Sequence, residues 1–409
     1  TFTNKAAGEM KHRLKRMIGD MATCFAGTFH GYCNLLLKEE IYRMGYPKTF
    51  SILDKQDQVR LLREIAEEQR LSLRDFTAKD CMAKISAEKQ NPGYIAYMAG
   101  KDKEPLLAKI GEAKDDFHLV YYHYLLRQRD NYGLDFEDII QFAIYILTHF
   151  PDALAKWQDR CQYLLCDEYQ DVNGNQELLL TLLSGKYHNL TVVGDDDQCI
   201  YGWRGSDAGY MVNFDRAHEE VRDFQLTENF RSTPEIVAVA NSLIRVNQNR
   251  LAKAMFTNNP GGNKPVCACL KQEAEEAAYI AERIQEAVQE GRKYAAHTVL
   301  VRASSQTRAL EEAFLHHKVP YKILNGAQFY SSEEIRTVLS YLRMVYSMND
   351  LDFSYTIQRP RRGFGKKSVE SLKKYAGERG LMLMDALGEL IHAGEIRRKE
   401  VIFYYEEIR

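Results

Sequence analysis

The chain has 409 residues, of which 45% are hydrophobic and 27% charged, and its formal net charge is −2. This length predicts two or more domains, and the hydrophobic content is enough for buried cores, which excludes a disordered chain. The near-zero net charge excludes a protein that coats nucleic acid through overall basicity, so any such contact must come from local patches.

The eight cysteines are scattered, and only Cys267 and Cys269 lie close together. The sequence has no C-x-x-C pair, which indicates reduced thiols in a cytoplasmic protein and argues against a metal site built from sulfur. No apolar stretch approaches the roughly 18 residues of a membrane span. We therefore expect a cytoplasmic protein without a membrane partner.

The first long pattern in chain order is helical and covers about residues 29–158. Apolar residues there recur at the spacing of one helix face, for example at Phe136, Ile139, Ile140, Ala143, Ile144 and Leu147. This periodicity predicts a helical insertion with few strands.

Three strand-like runs follow, separated by segments of helix length, which is the pattern of a parallel α/β sheet. They are Tyr163–Cys166, Leu190–Val193 and Asp223–Leu226. Each run is followed by polar residues. Because ligands of open α/β sheets bind at the carboxyl ends of the strands, we expect the polar clusters after the first two runs to share one edge.

The carboxylates after the first run, Asp167 and Glu168, suggest a nucleotide hydrolase. An aspartate at the end of a buried strand can hold Mg²⁺, and the next carboxylate can orient and deprotonate the water that attacks a γ-phosphate. The alternative is a solvated strand end, where acidic residues are common. Arg231, after the third run, could neutralise transition-state charge on the same phosphate.

A second α/β unit is predicted after the breaker cluster Pro260–Asn263. Its predicted strands are Val266–Leu270, Thr298–Val301 and Tyr321–Leu324, and its predicted helices are Glu273–Gln289 and Ser305–His316. From about Asp352 the tail is helical and charged.

Several blocks, in this order and at these separations, resemble the motifs of superfamily 1 DNA helicases of the UvrD, Rep and PcrA family. They are Thr1-Phe-Thr-Asn-Lys5, Gly27-Thr-Phe-His30, Asp167-Glu-Tyr-Gln-Asp171, Asp195–Gly205 and Thr227–Thr233. Supporting stretches are Gly133–Asp138, Arg302–Arg308 and Arg362–Gly365. The resemblance runs along nearly the whole chain.

The resemblance implies an α/β fold with two RecA-like, P-loop-type parallel-sheet domains and helical insertions. The first RecA-like domain would comprise residues 1–28 and 159–233, with the helical insertion at 29–158. The second would comprise residues 234–351, and residues 352–409 would begin a helical accessory insertion.

The resemblance also implies roles at an ATP site. Asp167 would help to hold Mg²⁺, Glu168 would act as base, Gln198 would sense the γ-phosphate, and Arg231 would reach it from the domain boundary. Phe230 would stack on adenine, although the family usually has tyrosine there, and core packing is its alternative. Arg204 would touch nucleotide or DNA.

For DNA, the resemblance implies contacts by residues of four segments. These are Phe2, Thr3 and Asn4; Thr28 and His30, which would contact the backbone; Tyr201 and Trp203; and Arg362, Gly363, Gly365 and Lys366, which would grip duplex. Aromatic faces stack on unpaired bases without reading sequence, so Phe2, Tyr201 and Trp203 would form a single-strand track. A buried anchor is the alternative for Trp203, and a solvated basic loop is the alternative for Arg359–Lys367.

The sequence departs from the family in having no G-x-x-x-x-G-K-[ST] phosphate loop, no initial methionine and none of the family's last motifs. We therefore expect an internal piece of a longer helicase, with an incomplete ATP site. A naturally inactive relative is the alternative.

The predicted function is an ATP-dependent helicase or translocase that moves 3′ to 5′ on single-stranded DNA and unwinds duplex at junctions, in repair or replication. Three alternatives stay open: the helicase part of a RecB- or AddA-like helicase–nuclease, a non-hydrolysing DNA-binding regulator, and a nuclease whose metal is held at Asp167.

Overall fold

The computed structural model describes residues 1–19, 24–71, 77–100, 102–303, 306–324 and 333–409, without the side chains of Arg204, Glu333, Glu334 and Lys366. The chain divides into two compact units. Unit 1 contains Thr1–Gln225, Asn247–Ala252 and Leu339–Arg409, and unit 2 contains Leu226–Val246 and Lys253–Val338.

The first part of unit 1 is helical, as predicted for residues 29–158. Its helices are α1 (Asn4–Ile18), α2 (Phe29–Glu40), α3 (Lys55–Glu68), α4 (Ala78–Glu88), α5 (Ile95–Met98), α6 (Glu104–Gly111), α7 (Asp116–Asp130), α8 (Phe136–His149) and α9 (Pro151–Arg160). Two short strands, β1 (Ser51–Ile52) and β2 (Gly133–Leu134), pair in parallel between them. The core of these helices includes Tyr124, Phe142 and Trp157, which are fully buried.

A charged network lies inside this helical core. The ammonium group of Lys89 is inaccessible to solvent and donates to Asp135 at 2.6 Å, to Asp138 at 2.7 Å and to Gln128 at 2.8 Å. Burial opposes the charge on Lys89, but the two carboxylates outweigh burial and raise its pKa. Asp135 also caps α8 in a reciprocal capping box with Asp138, so the network fixes the start of that helix.

A parallel strand pair follows, as predicted. Strands β3 (Leu164–Asp167) and β4 (Leu190–Val193) pair from Leu164 opposite Leu190 to Asp167 opposite Val193. Helix α10 (Gly174–Ser184) connects them, and the short helices α11 (Gly209–Val212) and α12 (Phe214–Ala217) follow β4. Cys166, Tyr169, Val172 and Leu180 form a small core beside this pair.

Unit 2 contains α13 (Pro234–Ile244), α14 (Glu273–Gln289), α15 (Thr307–His316) and the first residues of α16 (Glu333–Ser347). Helices α14 and α15 pack around Ala281, Ile284, Phe314 and Val319. The sequence predicted the bounds of α14 and the end of α15 correctly.

The remaining strand predictions are not confirmed. The structure contains no strand at Asp223–Leu226, Val266–Leu270, Thr298–Val301 or Tyr321–Leu324, all of which are described. Apolar side chains in these segments are exposed, for example Leu226 at 91% and Leu300 at 90%. A strand forms only when a neighbouring strand binds its backbone groups, and an apolar run cannot supply that neighbour. The structure is therefore a mostly helical α/β protein with parallel strand pairs.

The last part of unit 1 is helical. After α16 it contains α17 (Asp350–Thr356), α18 (Lys366–Arg379), α19 (Leu383–His392) and α20 (Lys399–Ile408), which enclose a core around Phe353, Leu387 and Tyr404. Lys373 on α18 forms an ion pair with Glu64 on α3 at 3.0 Å. Within the described residues, no helix combines the length and apolarity needed to cross a bilayer.

Candidate functional site

The strand-end carboxylates and the polar segment after β4 meet at one edge, as predicted. Asp167 is the last residue of β3 and lies opposite Val193, the last residue of β4. Glu168 and Asp195 therefore both follow the carboxyl ends of neighbouring parallel strands. This is the edge at which α/β sheets bind ligands.

Glu168 has a backbone conformation that is rare for a residue with a side chain. Its φ of 57° and ψ of 43° lie in the left-handed helical region. Such a conformation costs on the order of 1–3 kcal/mol and is concentrated at functional sites. The side chain is exposed, and its Oε2 accepts a hydrogen bond from Nε2 of Gln170 at 2.7 Å.

Gln170 extends this contact to the segment after β4. Its Oε1 accepts a hydrogen bond from the backbone nitrogen of Asp195 at 2.9 Å. The Asp195 carboxylate in turn accepts one from Nε2 of Gln198 at 2.7 Å. The predicted base Glu168 and the predicted phosphate sensor Gln198 are thus joined by consecutive hydrogen bonds. Sequence reasoning missed the bridging role of Gln170.

The donor chemistry at Asp167 fits the predicted Mg²⁺. Among the described residues, its carboxylate accepts no hydrogen bond and forms no ion pair, and carboxylate oxygen is a ligand that Mg²⁺ prefers. A second acidic group, Asp195–Asp197, has carboxylate oxygens within 4.8 Å of one another. Asp197 pairs with Arg250 at 2.6 Å, and Asp196 accepts from the backbone nitrogen of Leu251 at 2.8 Å. Protein donors therefore already engage that second group.

Asp171 is a buried carboxyl at the same edge. Burial raises its pKa, and the neighbouring Glu168 carboxylate raises it further. Its backbone oxygen accepts a hydrogen bond from the hydroxyl of Ser206 at 2.6 Å. Sequence reasoning treated Asp171 as support for the motif and assigned it no separate role.

The structure brings the three predicted track residues together. The rings of Phe2 and Tyr201 stack with centroids 5.3 Å apart, and the Tyr201 and Trp203 ring centroids lie 6.4 Å apart. Trp203 is 66% exposed, which argues against a buried anchor. Contact of these rings with DNA stays a prediction.

Thr3 and Thr28, which are predicted to contact DNA, each lie at the start of a helix. Thr3 caps α1 by accepting from the backbone nitrogen of Ala6 at 3.1 Å, and Thr28 caps α2 by accepting from that of Gly31 at 3.2 Å. Asn4, the first residue of α1, is exposed. Each threonine thus has a structural function in addition to any contact with a ligand.

His30 lies edge-on to Phe136, with ring centroids 5.3 Å apart. Burial lowers its pKa and outweighs a backbone hydrogen bond at Phe136, which raises it. A neutral imidazole does not attract phosphate by charge, so the predicted backbone contact would be a hydrogen bond.

Phe230 and Arg231 belong to unit 2. The side-chain oxygen of Asn229 accepts from the backbone nitrogens of Arg231 at 3.0 Å and Ser232 at 2.8 Å, which fixes their turn. Phe230 is 79% exposed, so core packing does not explain this aromatic residue. The side chain of Arg204 lies outside the described part of the chain.

In the basic loop, Arg362 is engaged with its own unit. Its guanidinium donates to the backbone oxygen of Thr356 at 2.9 Å and lies over the ring of Tyr404 at 4.7 Å. Gly363 has a φ of 67°, and Gly365 immediately precedes α18. The side chain of Lys366 is not among the described parts of the chain. Duplex contact by this loop stays a prediction.

Comparison with known proteins identifies the family. The profile of the UvrD/REP helicase N-terminal domain matches residues 1–219, and that of the UvrD-like helicase C-terminal domain matches residues 224–400. Relatives named "ATP-dependent DNA helicase PcrA" from Staphylococcus epidermidis (strain ATCC 12228) and Staphylococcus aureus (strain Mu50) are each 34% identical over 418 residues. Each alignment covers 100% of this chain and 56% of the relative, so the chain spans about half the length of these proteins. The chain belongs to the UvrD/REP helicase family.

Proposed function

We propose that this chain carries the water-activating residues and part of the single-strand track of an ATP-dependent DNA helicase. The observation that supports this most directly is the hydrogen-bonded series from Glu168 through Gln170 and Asp195 to Gln198. It lies at the carboxyl ends of two parallel strands, on the segment that leads to Tyr201 and Trp203. Family membership and the printed names of the PcrA relatives support the proposed activity.

In the proposed mechanism, Glu168 accepts a proton from the water whose oxygen bonds to the γ-phosphorus of ATP, and its carboxylate becomes a carboxylic acid. The bond from that phosphorus to the β–γ bridging oxygen breaks, and ADP leaves with the electron pair. Asp167 would hold Mg²⁺, which neutralises charge on the phosphates. Gln198 would contact the γ-phosphate, and Arg231 would neutralise transition-state charge. Phe230, with its exposed ring, would stack on adenine.

Single-stranded DNA would bind across Phe2, Tyr201 and Trp203, with Thr3, Asn4, Thr28 and His30 contacting its backbone. Stacking and phosphate contacts are independent of sequence, as a motor that travels along DNA requires. Arg362, Gly363, Gly365 and Lys366 would contact duplex at a junction. We further propose two RecA-like domains, 3′ to 5′ movement, a role in repair or replication, and cytoplasmic residence.

The test is ATP hydrolysis by the natural full-length polypeptide, with and without single-stranded DNA, using Glu168→Gln as the control. Glu168→Gln keeps the size and hydrogen-bonding shape of the side chain and removes the base. We expect DNA-stimulated hydrolysis in the natural protein and a loss of about 10²- to 10⁴-fold in the variant, which is the usual contribution of a general base. Equal hydrolysis by both proteins would overturn the proposal.

A second assay distinguishes the proposed helicase from the nuclease alternative. It measures DNA cleavage with Mg²⁺ in the absence of ATP, in the natural protein and in Asp167→Asn. ATP-independent cleavage that Asp167→Asn abolishes would assign the carboxylates to a nuclease. Absence of cleavage together with DNA-stimulated ATP hydrolysis is the result we expect.

A further inference from the structure

We propose that Gln170 is a positioning residue for hydrolysis: it orients the Glu168 carboxylate and fastens it to the segment that follows β4. This inference rests on the proposed function, because it concerns the same carboxylate.

Gln170 is 2% exposed, and its amide is bonded at both ends. Nε2 donates to Oε2 of Glu168 at 2.7 Å, and Oε1 accepts from the backbone nitrogen of Asp195 at 2.9 Å. A carboxylate can only accept and a backbone nitrogen can only donate, so these partners fix which end of the amide is which. Glutamate at this position could not donate to Glu168, and lysine could not accept from Asp195.

Gly194 makes room for this amide. A Cβ atom at residue 194 would lie 2.5 Å from Oε1 of Gln170 and 3.1 Å from the backbone nitrogen of Tyr169. Both distances are shorter than ordinary van der Waals contact, so a side chain there would displace the amide. The absence of a side chain at Gly194 therefore allows the Gln170 amide to bond to the backbone nitrogen of Asp195.

The contact limits the freedom of a side chain that would otherwise be loosely held. Glu168 is exposed, and of its two carboxylate oxygens only Oε2 accepts a hydrogen bond from the described residues. With Oε2 held by Gln170, Oε1 is the oxygen left to take a proton from water. A misplacement of about 1 Å at such a group can reduce a rate about 100-fold.

A second attachment holds the other end of the segment after β4. The hydroxyl of Ser206 donates to the backbone oxygen of Asp171 at 2.6 Å, and the backbone nitrogen of Asp207 donates to that of Val172 at 3.3 Å. The stretch from Asp195 to Ser206, which carries Tyr201 and Trp203, is therefore fastened at both ends to residues just after Glu168.

The experiment compares Gln170→Met and Gln170→Glu in the natural full-length protein. Methionine keeps the length of the side chain and loses both hydrogen bonds, whereas glutamate keeps the acceptor for Asp195 and loses the donor to Glu168. We expect both variants to lower the DNA-stimulated kcat by about 10- to 100-fold. We expect the KM for ATP to change less than twofold, because Gln170 does not contact the nucleotide in this scheme.

Gln141→Ala is the matched control. Gln141 is also 2% exposed, and its amide donates to the backbone oxygen of Lys89 in the helical core. We expect this variant to keep kcat within twofold. An equal loss of kcat in Gln141→Ala would mean that any buried amide has this effect, and the inference would be overturned.

Glu168→Gln, measured alongside, separates the inference from the function on which it rests. If Glu168→Gln is inactive while both Gln170 variants hydrolyse ATP at the natural rate, the inference fails and the proposed function stands. If Glu168→Gln is as active as the natural protein, the proposed function itself fails. A raised KM with unchanged kcat in the Gln170 variants would indicate nucleotide contact and would also overturn the positioning role.

Discussion

The rings of Phe2 and Tyr201 stack with their centroids 5.3 Å apart and their planes 23° from parallel. One residue precedes α1, and the other follows β4. The fold therefore joins two segments that are distant in the sequence into one aromatic surface, which Trp203 extends.

Tyr201→Ala is predicted to weaken the binding of single-stranded DNA. Stacking of a base on an aromatic ring contributes about 1–3 kcal/mol, so the Kd should rise by about 5- to 150-fold. Fluorescence anisotropy with labelled oligonucleotides of two unrelated sequences would measure it. Tyr163→Ala, which removes a 76% exposed tyrosine beside β3, is the control and should leave the Kd unchanged. Similar Kd values for the Tyr201 and Tyr163 variants would contradict the predicted track.

Lys89→Ala is predicted to destabilise the helical part of unit 1 strongly. Removing the ammonium leaves Asp135 and Asp138 buried without their cation, and breaking such a pair costs about 3–5 kcal/mol. Urea unfolding followed by circular dichroism would show a lower midpoint. Lys109→Ala removes an exposed lysine paired with Glu112 at 2.9 Å and should leave the midpoint unchanged. Equal midpoints for the two variants would show that the buried network contributes little.

Asp350→Asn is predicted to remove part of the pH dependence of stability. Burial raises the pKa of Asp350 from 3.8 to about 6, although the hydrogen bond from the backbone nitrogen of Leu383 lowers it. A raised pKa means that the folded state binds the proton more tightly. The stability from this carboxyl is therefore present below pH 4 and is lost as the pH rises through about 6, by on the order of 3 kcal/mol.

Asparagine at this position is uncharged at every pH and keeps an oxygen that can accept from Leu383. The variant should therefore gain stability relative to the natural protein between pH 4 and pH 7. Thermal unfolding across this range would measure the difference. A difference that stays constant with pH would show that Asp350 does not titrate in the folded protein as described.

The two glycines of the basic loop are predicted to respond differently to alanine. Gly363 has a φ of 67°, and a Cβ atom there would overlap Nη1 of Arg398. Gly363→Ala should therefore lower stability by at least the 1–2 kcal/mol or so that a left-handed conformation costs an L-residue. A Cβ atom at Gly365 would meet nothing within 4 Å, so Gly365→Ala should leave the melting temperature nearly unchanged. The reverse order of stabilities would contradict the geometry.

Gly365→Ala also tests duplex binding apart from stability. If the backbone at Gly365 approaches a phosphate, the added methyl group should weaken the binding of a hairpin with a single-stranded tail, measured by anisotropy. Unchanged affinity would leave Gly365 with only its role at the start of α18.

The sequence predicted those features that depend on local pattern. The bounds of α14 follow from its periodicity, and the β3 and β4 pair follows from two apolar runs that end in polar residues. The strands predicted in unit 2 are absent, because an apolar run gives the tendency to extend but does not provide the neighbour that completes a ladder.

The same limit applies to the candidate site. Asp167 and Glu168 could be found because they are adjacent and follow a strand. The hydrogen bond between Gln170 and Asp195 could not be predicted from the sequence. It joins a side chain to a backbone nitrogen 25 positions away, and the two residues meet only because their strands are neighbours. Nothing in the sequence around Lys89 predicted that this lysine is buried. The spacing of Asp135 and Asp138, which forms a capping box, was the available clue that acidic groups start α8.

The ion pair between Glu64 and Lys373 joins residues 309 positions apart, and both belong to unit 1. Ribosomes add about 5–20 residues per second, so about 15–60 s pass between the synthesis of these two residues. During that interval all of unit 2 is synthesised, and when its last residue, Val338, has been made, α17 to α20 of unit 1 have not. The ion pair on α3 therefore cannot form until Lys373 has been synthesised, and unit 2 can acquire its structure before unit 1 has done so.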